Sequence, residues 1–252
     1  MADNTRLSKR QLEILLGKLK ILDKPNLELE QYPVSAEAAS ELLYMAGFEH
    51  DDLGGRIIDL GTGTGRLAIG AALMGARETV GVDMDERALA RAKQNVETAG
   101  VIVEWVHSDI EKFNGRFDTV IMNPPYGTRT SHADTRFLEK AFLLAPVAYS
   151  IHKSATRDFL LQFVKRSDRK VDQLRSMRME IPHLFEFHQK KQKRVEVDLY
   201  RIIRTRSRSV LRQFLLHSSL EEGERVTVGV CEYCEVSSAR FLFWHDDCGA
   251  QA

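Results

Sequence analysis

The sequence predicts an α/β fold with a parallel sheet at its centre. Its 252 residues are enough for one well-buried domain with an appendage. Short β-rich runs alternate with helical segments over most of the chain, and such alternation is typical of a parallel sheet with crossover helices on both faces. A glycine-rich and a proline-rich segment each follow a predicted strand directly. Open α/β sheets bind ligands at the carboxyl ends of their strands, so we expect the functional residues there.

The composition excludes several classes of protein. A hydrophobic content of 43% with 29% charged residues indicates a folded globular chain, and no apolar run approaches the roughly 18 residues of a membrane span. The start, Met1-Ala2-Asp3-Asn4, lacks the apolar core of a signal peptide. All 3 cysteines follow Val230, so we predict no disulfide framework for the main domain. We therefore expect a soluble, cytoplasmic protein.

The formal net charge of +0 conceals an uneven distribution along the chain. Between Lys153 and Arg212 there are 17 Lys or Arg and 7 Asp or Glu, a surplus of 10 positive charges that the rest of the chain balances. A basic stretch of this kind either follows a nucleic-acid backbone or forms a solvated helical face, and composition alone does not choose between them.

The first fifty residues predict a helical extension. Leucines at helical spacing and a capping Ser8 indicate an amphipathic helix over residues 8–22. The segment 27–33 should be extended because the residue before a proline disfavours the α region, and Ser35 then caps a helix that runs to about Phe48. Residues 1–50 therefore form an N-terminal extension in this interpretation.

The core follows as alternating strands and helices over residues 51–204, and leaves 205–252 as a C-terminal tail. The predicted strands span 56–60, 79–83, 103–107, 119–122, 147–152, 171–181 and 195–204. The predicted helices span 66–74, 86–99, 134–144 and 154–166.

The first chemical motif is DLGTGTGR at residues 59–66, between a predicted strand and a predicted helix. Glycines such as Gly61 and Gly63 let the backbone pass close to a ligand. The spacing is G-x-G-x-G rather than the G-x-G-x-x-G of dinucleotide sites, and it begins with Asp59. A carboxylate repels phosphate but suits the ammonium group of a methionine-type ligand.

Two further acidic positions end the next two predicted strands. Asp83 is placed to accept hydrogen bonds from two ribose hydroxyls, and Asp109 to meet an adenine amino group while Ile110 packs on the ring. Ribose, adenine and an amino-acid ammonium together describe S-adenosylmethionine. The alternative is that each aspartate only caps a helix, but three of them at successive strand ends favour the cofactor.

The second motif is Asn123-Pro124-Pro125-Tyr126, after the fourth predicted strand. An aromatic amine is a poor nucleophile because its lone pair is delocalised into the ring. If the Asn123 side-chain oxygen and the Pro124 carbonyl each accept one N–H, the lone pair is freed for the methyl group, and two prolines keep the loop rigid. Tyr126 can stack on a base or amide. In isolation the motif is equally typical of a strand-to-turn transition.

Together these motifs resemble those of the class I S-adenosylmethionine-dependent methyltransferases. More narrowly, the chain is similar to the methyltransferase-like 5 group of small-subunit ribosomal RNA adenine-N6 methyltransferases. The narrower resemblance rests on segments spread over about residues 7–204, namely LEQYP at 29–33, DLGxG at 59–63, MNPPYGT at 122–128, YSIHKS at 149–154 and EVDL at 196–199.

The resemblance implies a Rossmann-like, seven-stranded, mostly parallel sheet with an antiparallel last strand, and N6-methylation of one adenosine in ribosomal RNA. Members are commonly stabilised by a small zinc-binding activator subunit that adds a strand to the sheet edge. Two departures are Val34, where a hydroxyl residue often sits, and Tyr126, where some members have phenylalanine. The implied cofactor wall contains Gln31 beside Gly61, Thr64, Arg66, Asp83, Asp109 and Ile110.

Candidate RNA contacts lie in the basic half. His152 and Lys153 follow the fifth predicted strand, on the same edge as the catalytic loop, where the alternative is a surface loop with no special role. The densest positive charge lies in a predicted hairpin loop, for which we favour phosphate binding over a merely solvated loop. Its cations are Lys190, Lys191, Lys193 and Arg194.

The tail carries Cys231, Cys234, His245 and Cys248, which have the ligand types of a zinc knuckle. The stretch between the two pairs is short for such a module and the resembling core has no counterpart, so two reduced cysteine clusters are favoured and no metal site is predicted.

The sequence therefore predicts an enzyme that receives an unpaired adenosine of structured RNA between Asn123 and Tyr126. Two alternatives stay open. N-P-P-Y chemistry also suits N5-methylation of a protein glutamine, and a ribosome-assembly factor would bind RNA and cofactor without needing turnover.

Overall fold

A computed structural model describes residues 7–26, 29–126, 133–182 and 192–205. Its centre is one seven-stranded sheet in the order β3-β2-β1-β4-β5-β7-β6. The first five strands pair in parallel, and β7 runs antiparallel to both of its neighbours. The predicted fold class is confirmed. The strands are β1 Arg56–Leu60, β2 Glu78–Asp83, β3 Glu104–His107, β4 Thr119–Met122, β5 Val147–Lys153, β6 Arg169–Pro182 and β7 Gln192–Arg204.

Helices cover both faces of this sheet, as the alternation predicts. One apolar cluster joins the first three helices to one face, and a second joins the last two to the other. The helices are α1 Lys9–Gly17, α2 Ala36–Tyr44 with a π-helical turn Met45–Glu49, α3 Arg66–Leu73, α4 Glu86–Ala99, α5 Ala133–Leu144, a 3-10 turn Ser154–Thr156 and α6 Arg157–Arg166.

The first helix is shorter than its leucine spacing predicts. It begins with a capping box between Ser8 and Gln11, as expected, but ends at Gly17. Beyond it the backbone makes tertiary hydrogen bonds. Asn95 of α4 donates to the Lys20 carbonyl and accepts from the Lys20 amide, both at 2.9 Å, and Arg66 donates to the Leu19 carbonyl at 3.2 Å. These contacts turn the chain away from the helix axis and lead it over the carboxyl edge of the sheet.

Ion pairs connect the last two strands to the first half of the chain. Arg175 of β6 binds Glu41 and Glu49, and Arg201 of β7 binds Asp52 at 2.8 Å. Some of the positive surplus beyond Lys153 is therefore neutralised within the molecule.

Within the described ranges, no helix is both long enough and apolar enough to cross a membrane. The division into residues 1–50, 51–204 and 205–252 stays a prediction, because residues 206–252 of the tail lie outside the described residues.

Candidate active site

A cavity of about 390 Å³ lies at the carboxyl edge of the sheet. Its walls come from the loops after β1 to β4 and from the N-terminal segment 29–34, with Ile21, Leu22 and Pro25 beside them. All of the predicted cofactor residues line this cavity: Gln31, Asp59, Gly61, Gly63, Thr64, Arg66, Asp83, Asp109 and Ile110. The structure thus brings them together, and their individual contacts with a cofactor stay predictions.

Left-handed backbone shapes the glycine loop. Gly61, Gly63 and Gly65 have φ angles of 67°, 56° and 84°. A Cβ at Gly61 would lie 2.8 Å from the Phe137 ring, and one at Gly65 would lie 2.5 Å from the Trp105 ring. A side chain would meet both strain and collision at Gly61 and Gly65, and strain alone at Gly63, so the loop favours glycine at all three positions.

Asp83 fixes the loop from the end of β2. Its Oδ2 accepts from the Gly63 amide at 2.7 Å, and its Oδ1 accepts from the Asp85 amide at 2.9 Å. Burial is the main cause that raises the pKa of this carboxyl, against the hydrogen bonds that lower it. Asp83 therefore orders the loop and presents a carboxylate to the cavity.

Asp59 is more deeply buried and only half satisfied. Its Oδ2 accepts from Thr62 Oγ1 at 2.6 Å and from the Ala68 amide at 3.0 Å. Its Oδ1 is buried and has no hydrogen-bond partner among the described residues. Burial, with a smaller effect of the Asp83 charge, raises the pKa of Asp59 to about 7. The site therefore offers an orphaned carboxylate oxygen that a cationic ligand would satisfy.

This pKa makes stability depend on pH. The unfolded chain releases the Asp59 proton near pH 4, whereas the folded protein keeps it until about pH 7, so the free energy of unfolding falls over that interval as pH rises. Asp59→Asn removes this titration and keeps one acceptor oxygen. We expect it to raise the unfolding temperature by about 3 °C or more at pH 8 and much less at pH 5. Thermal melts of the ligand-free protein measure this.

The wild-type protein, melted at the same two pH values, is the reference for each gain. Equal gains for Asp59→Asn at both pH values would assign the titration to another group.

Two predicted cofactor residues use their polar groups to hold the N-terminal segment. Gln31 donates to Asp85 Oδ2 at 2.7 Å and accepts from the Asn26 amide at 2.7 Å. Arg66 donates to the carbonyls of Leu19 and Val34. Both side chains border the cavity, and their observed contacts are to the segment that closes it.

The remaining cofactor candidates are braced in the same way. Asp109 Oδ1 accepts from the Glu111 amide at 2.9 Å, and the Thr64 carbonyl accepts from Asn95 Nδ2 at 2.9 Å. Ile110 is 9% exposed, which gives the cavity an apolar wall after β3. Hydrogen bonds within the protein thus hold the backbone after β1 and β3 that borders the cavity.

Asn123 lies at the end of β4 and lines the cavity together with Pro125. Its Nδ2 donates to the Tyr32 carbonyl at 3.2 Å, while the Tyr126 hydroxyl lies 3.5 Å from its Oδ1. The latter separation is at the limit of a hydrogen bond, so Oδ1 keeps capacity to accept. Sequence reasoning missed Tyr32, although it lies in the extended segment that was singled out.

Tyr126 and Pro124 are buried next to Asn123 and Pro125 in the chain, and they are not among the residues that line the cavity. The Tyr126 side chain is 8% exposed, and burial raises the pKa of its hydroxyl above the ordinary value. Its ring lies nearly parallel to that of Tyr32, with centroids 6.4 Å apart and an angle of 16°, and Lys153 Nζ lies 4.9 Å from its centroid. For the Tyr126 ring to stack on a base, Tyr32 or Lys153 would therefore have to move away from it.

The prediction that His152 contacts RNA is wrong. Its side chain is 2% exposed, its ring nitrogen lies 2.7 Å from Ser150 Oγ, and the edge of the ring packs against Tyr200. Burial lowers the pKa of His152 to about 3, so the ring is neutral at physiological pH. The β5 residues from Ala148 to His152 are all buried, and Lys153, at the end of the strand, is the one that lies beside the catalytic loop.

The other basic candidates are only partly described. Arg194 lies on β7 and pairs with Glu180 at 3.1 Å, with both side chains largely exposed. The backbone of Lys193 is part of β7. Outside the described residues lie Lys190, Lys191, Cys231, Cys234, His245 and Cys248.

The chain is similar to several known proteins, and these similarities show its family. Residues 35–146 match the model of the methyltransferase small domain. A zebrafish (Danio rerio) relative named rRNA N6-adenosine-methyltransferase METTL5 is 36% identical over 78% of this chain and 99% of its own length. A crystal structure from Pyrococcus horikoshii, solved as that of a candidate RNA methyltransferase, has a TM-score of 0.74 at 40% identity and covers 79% of this chain and 98% of that one.

A more distant match concerns the glutamine alternative. A candidate protein N5-glutamine methyltransferase of Methanocaldococcus jannaschii is 31% identical over 42% of this chain and 54% of its own length. The zebrafish relative matches over nearly its whole length, whereas the M. jannaschii protein matches over about half of its own. The chain therefore belongs to the rRNA N6-adenosine-methyltransferase family.

Proposed function

We propose that this chain transfers a methyl group from S-adenosylmethionine to N6 of an unpaired adenosine in ribosomal RNA. The observation that carries the proposal is the Asn123 amide on the cavity wall. Its nitrogen is held by a backbone carbonyl, and its oxygen keeps capacity to accept a hydrogen bond from an amine. The family of the chain agrees with this chemistry.

The cavity wall fits S-adenosylmethionine. The orphaned Oδ1 of Asp59 suits an ammonium group, the Asp83 carboxylate suits ribose hydroxyls, and Ile110 suits the face of an adenine ring. When bound, this cofactor supplies a methyl group on positively charged sulfur. The protein residues then have to hold the acceptor nitrogen in line with it.

Asn123 and Pro124 supply that alignment in this proposal. The Asn123 Oδ1 and the Pro124 carbonyl each accept one N–H of the exocyclic amine, which draws the nitrogen lone pair out of conjugation. Rigid backbone makes the arrangement preorganised, so little energy is spent on ordering it during the reaction. No strong general base is needed, because the methylated nitrogen can lose its proton to water.

The direct test is to offer tritiated S-adenosylmethionine with small-subunit ribosomal RNA and to analyse the nucleosides. Label in N6-methyladenosine is the expected result. Label that appears in protein glutamine and never in N6-methyladenosine would establish the N5-glutamine alternative. If the Asn123→Ala protein rescued every phenotype of a deletion strain, that result would instead favour the hypothesis of a non-catalytic assembly factor.

We propose that Lys153 contacts the RNA, and the position of its ammonium beside Tyr126 at the catalytic loop supports this. We expect Lys153→Met to weaken RNA binding about threefold to tenfold near 0.1 M salt. The slope of log affinity against log salt should fall by roughly 0.7, which corresponds to one lost phosphate contact on a single strand. Fluorescence anisotropy over a salt series measures both.

Lys165→Met, on the exposed end of α6, is the matched control. If the two substitutions change the salt slope equally, Lys153 has no special place on the RNA path. We propose phosphate contacts for Lys190, Lys191, Lys193 and Arg194 as well, tested by the same salt series.

We also propose a small zinc-binding activator subunit that pairs with a sheet edge. β3 and β6 are the two edges of the described sheet, and Ile102, just before β3, is 92% exposed. A partner strand at β3 would cover this side chain. Ile102→Asp should therefore abolish copurification with the subunit, whereas Ile14→Asp, an exposed position on α1, should not. Equal copurification of both variants would remove β3 as the docking edge.

We place this activity in the cytoplasm, in agreement with a chain whose few cysteines favour a reducing compartment. Imaging of the tagged full-length protein tests the location. Exclusive accumulation in an oxidising compartment would contradict it.

A further inference from the structure

The two ends of an asparagine amide have opposite hydrogen-bonding roles, so a catalytic asparagine works only in one orientation. Its oxygen accepts and its nitrogen donates. At Asn123 the choice is made by the Tyr32 backbone carbonyl, 3.2 Å from Nδ2. A carbonyl can only accept, so it selects the orientation that turns the amide nitrogen toward Tyr32 and leaves the oxygen for another donor.

We infer that Tyr32 is a positioning residue for methyl transfer and that the N-terminal extension orients Asn123. This inference rests on the proposed function and adds a residue outside the methyltransferase core to the reaction. Tyr32 acts through Asn123, and its own side chain need not touch the reacting atoms.

The position of the Tyr32 carbonyl is fixed from several sides. Its ring packs parallel to Tyr126, and its amide donates to the Glu30 carbonyl at 2.7 Å. The residue before it is held by Asp85, and Val34 is held by Arg66. The carbonyl thus belongs to a braced turn rather than to a loose strand.

The same turn forms part of the cofactor cavity. Gln31, Tyr32, Pro33 and Val34 all line it. The segment that closes the cofactor site is therefore also the segment that orients the acceptor oxygen. Cofactor enclosure and alignment of the acceptor amine are coupled through this short stretch of backbone.

A double-mutant cycle tests the inference. Tyr32→Ala removes the ring that fixes the carbonyl, and Tyr32→Phe is the matched control that keeps it. Asn123→Asp removes the amide donor and keeps an acceptor oxygen. Single-turnover rates are measured at saturating cofactor and with enzyme in saturating excess over ribosomal RNA, because changes in either affinity then do not enter.

We expect Tyr32→Ala to slow transfer about 10- to 50-fold and Tyr32→Phe to slow it less than about twofold. In the Asn123→Asp background, Tyr32→Ala should lower the rate less than about threefold. The reason is that the aspartate has no amide whose orientation Tyr32 could fix. Multiplicative losses would overturn the inference and make Tyr32 a packing residue. Should Tyr32→Ala not fold, Tyr32→Leu is taken through the same cycle.

Failure of the inference and failure of the proposed function are distinguishable. If the wild-type protein methylates adenosine but the rate losses of the Tyr32 and Asn123 variants multiply, only the role of Tyr32 is overturned. A wild-type protein that leaves adenosine unmethylated overturns the proposed function.

Discussion

Asn123→Ala is expected to lower the rate of methyl transfer to RNA by roughly 10²- to 10³-fold. Removal of one preorganised polar group at a reaction centre has losses of that size. We expect the substitution to lower the rate of methyl transfer without unfolding the protein. Asn123 is on the cavity wall, and its one close hydrogen bond, to the Tyr32 carbonyl, is a neutral contact that contributes about 1 kcal/mol to stability.

The measurement is the single-turnover rate with labelled cofactor, together with cofactor affinity. Affinity should change less than about threefold, so the loss falls on the chemical step. Asn114→Ala, an exposed asparagine, is the matched control and should transfer at the wild-type rate. An Asn123→Ala protein with more than half of the wild-type rate would remove this residue from the reaction centre.

Asp83→Ala is expected to weaken S-adenosylmethionine binding by about 100-fold or more. Two ribose hydroxyls lose a charged acceptor, and each such hydrogen bond is worth about 1.5–3 kcal/mol. The substitution also frees the Gly63 and Asp85 amides that the carboxylate orders, which adds to the loss. Calorimetric titration with S-adenosylmethionine measures the change.

Asp83→Asn should fall between wild type and alanine, because it keeps one acceptor oxygen. Asp118→Ala serves as the control, since Asp118 also accepts from a backbone amide, that of Arg56, but at the opposite end of the strands. If Asp118→Ala and Asp83→Ala weakened binding equally, the loss would reflect general destabilisation rather than a cofactor contact.

Strand positions and the glycine loop are predictable from local sequence because their signals are local. Buried parallel strands contain continuous apolar runs such as Val120, Ile121 and Met122, and left-handed turns need residues such as Gly61 and Gly63. These signals also explain why the cofactor candidates meet at one edge, since parallel strands bring their carboxyl ends together.

The missed features depend on partners distant in the sequence. His152 is buried because β7 pairs with β5 and places Asp198 opposite it, a register that no local pattern encodes. The first helix ends early because the Lys20 amide donates a hydrogen bond to the side chain of Asn95, 75 residues away. Asn123 donates to the backbone carbonyl of Tyr32. Every residue has a backbone carbonyl, so residue type cannot reveal this contact in the sequence.

Net charge by segment was also an incomplete guide to RNA binding. Arg157 is held by the buried Asp198 at 2.7 Å, and Arg201 binds both Asp52 and Asp172. Cations in such pairs stabilise the fold and contribute less to phosphate binding than free ones. Salt dependence should therefore reflect a smaller number of cations than the surplus of 10.

The place of β7 in the sheet sets the order in which this protein can be completed during synthesis. β7 is made after β6 but lies between β5 and β6. Until residues 192–204 have left the ribosome, β5 has an open edge and β6 has no neighbour in the sheet. A nascent or truncated chain therefore exposes strand edges that invite pairing with other chains, and its folding must wait for almost the last segment of the core.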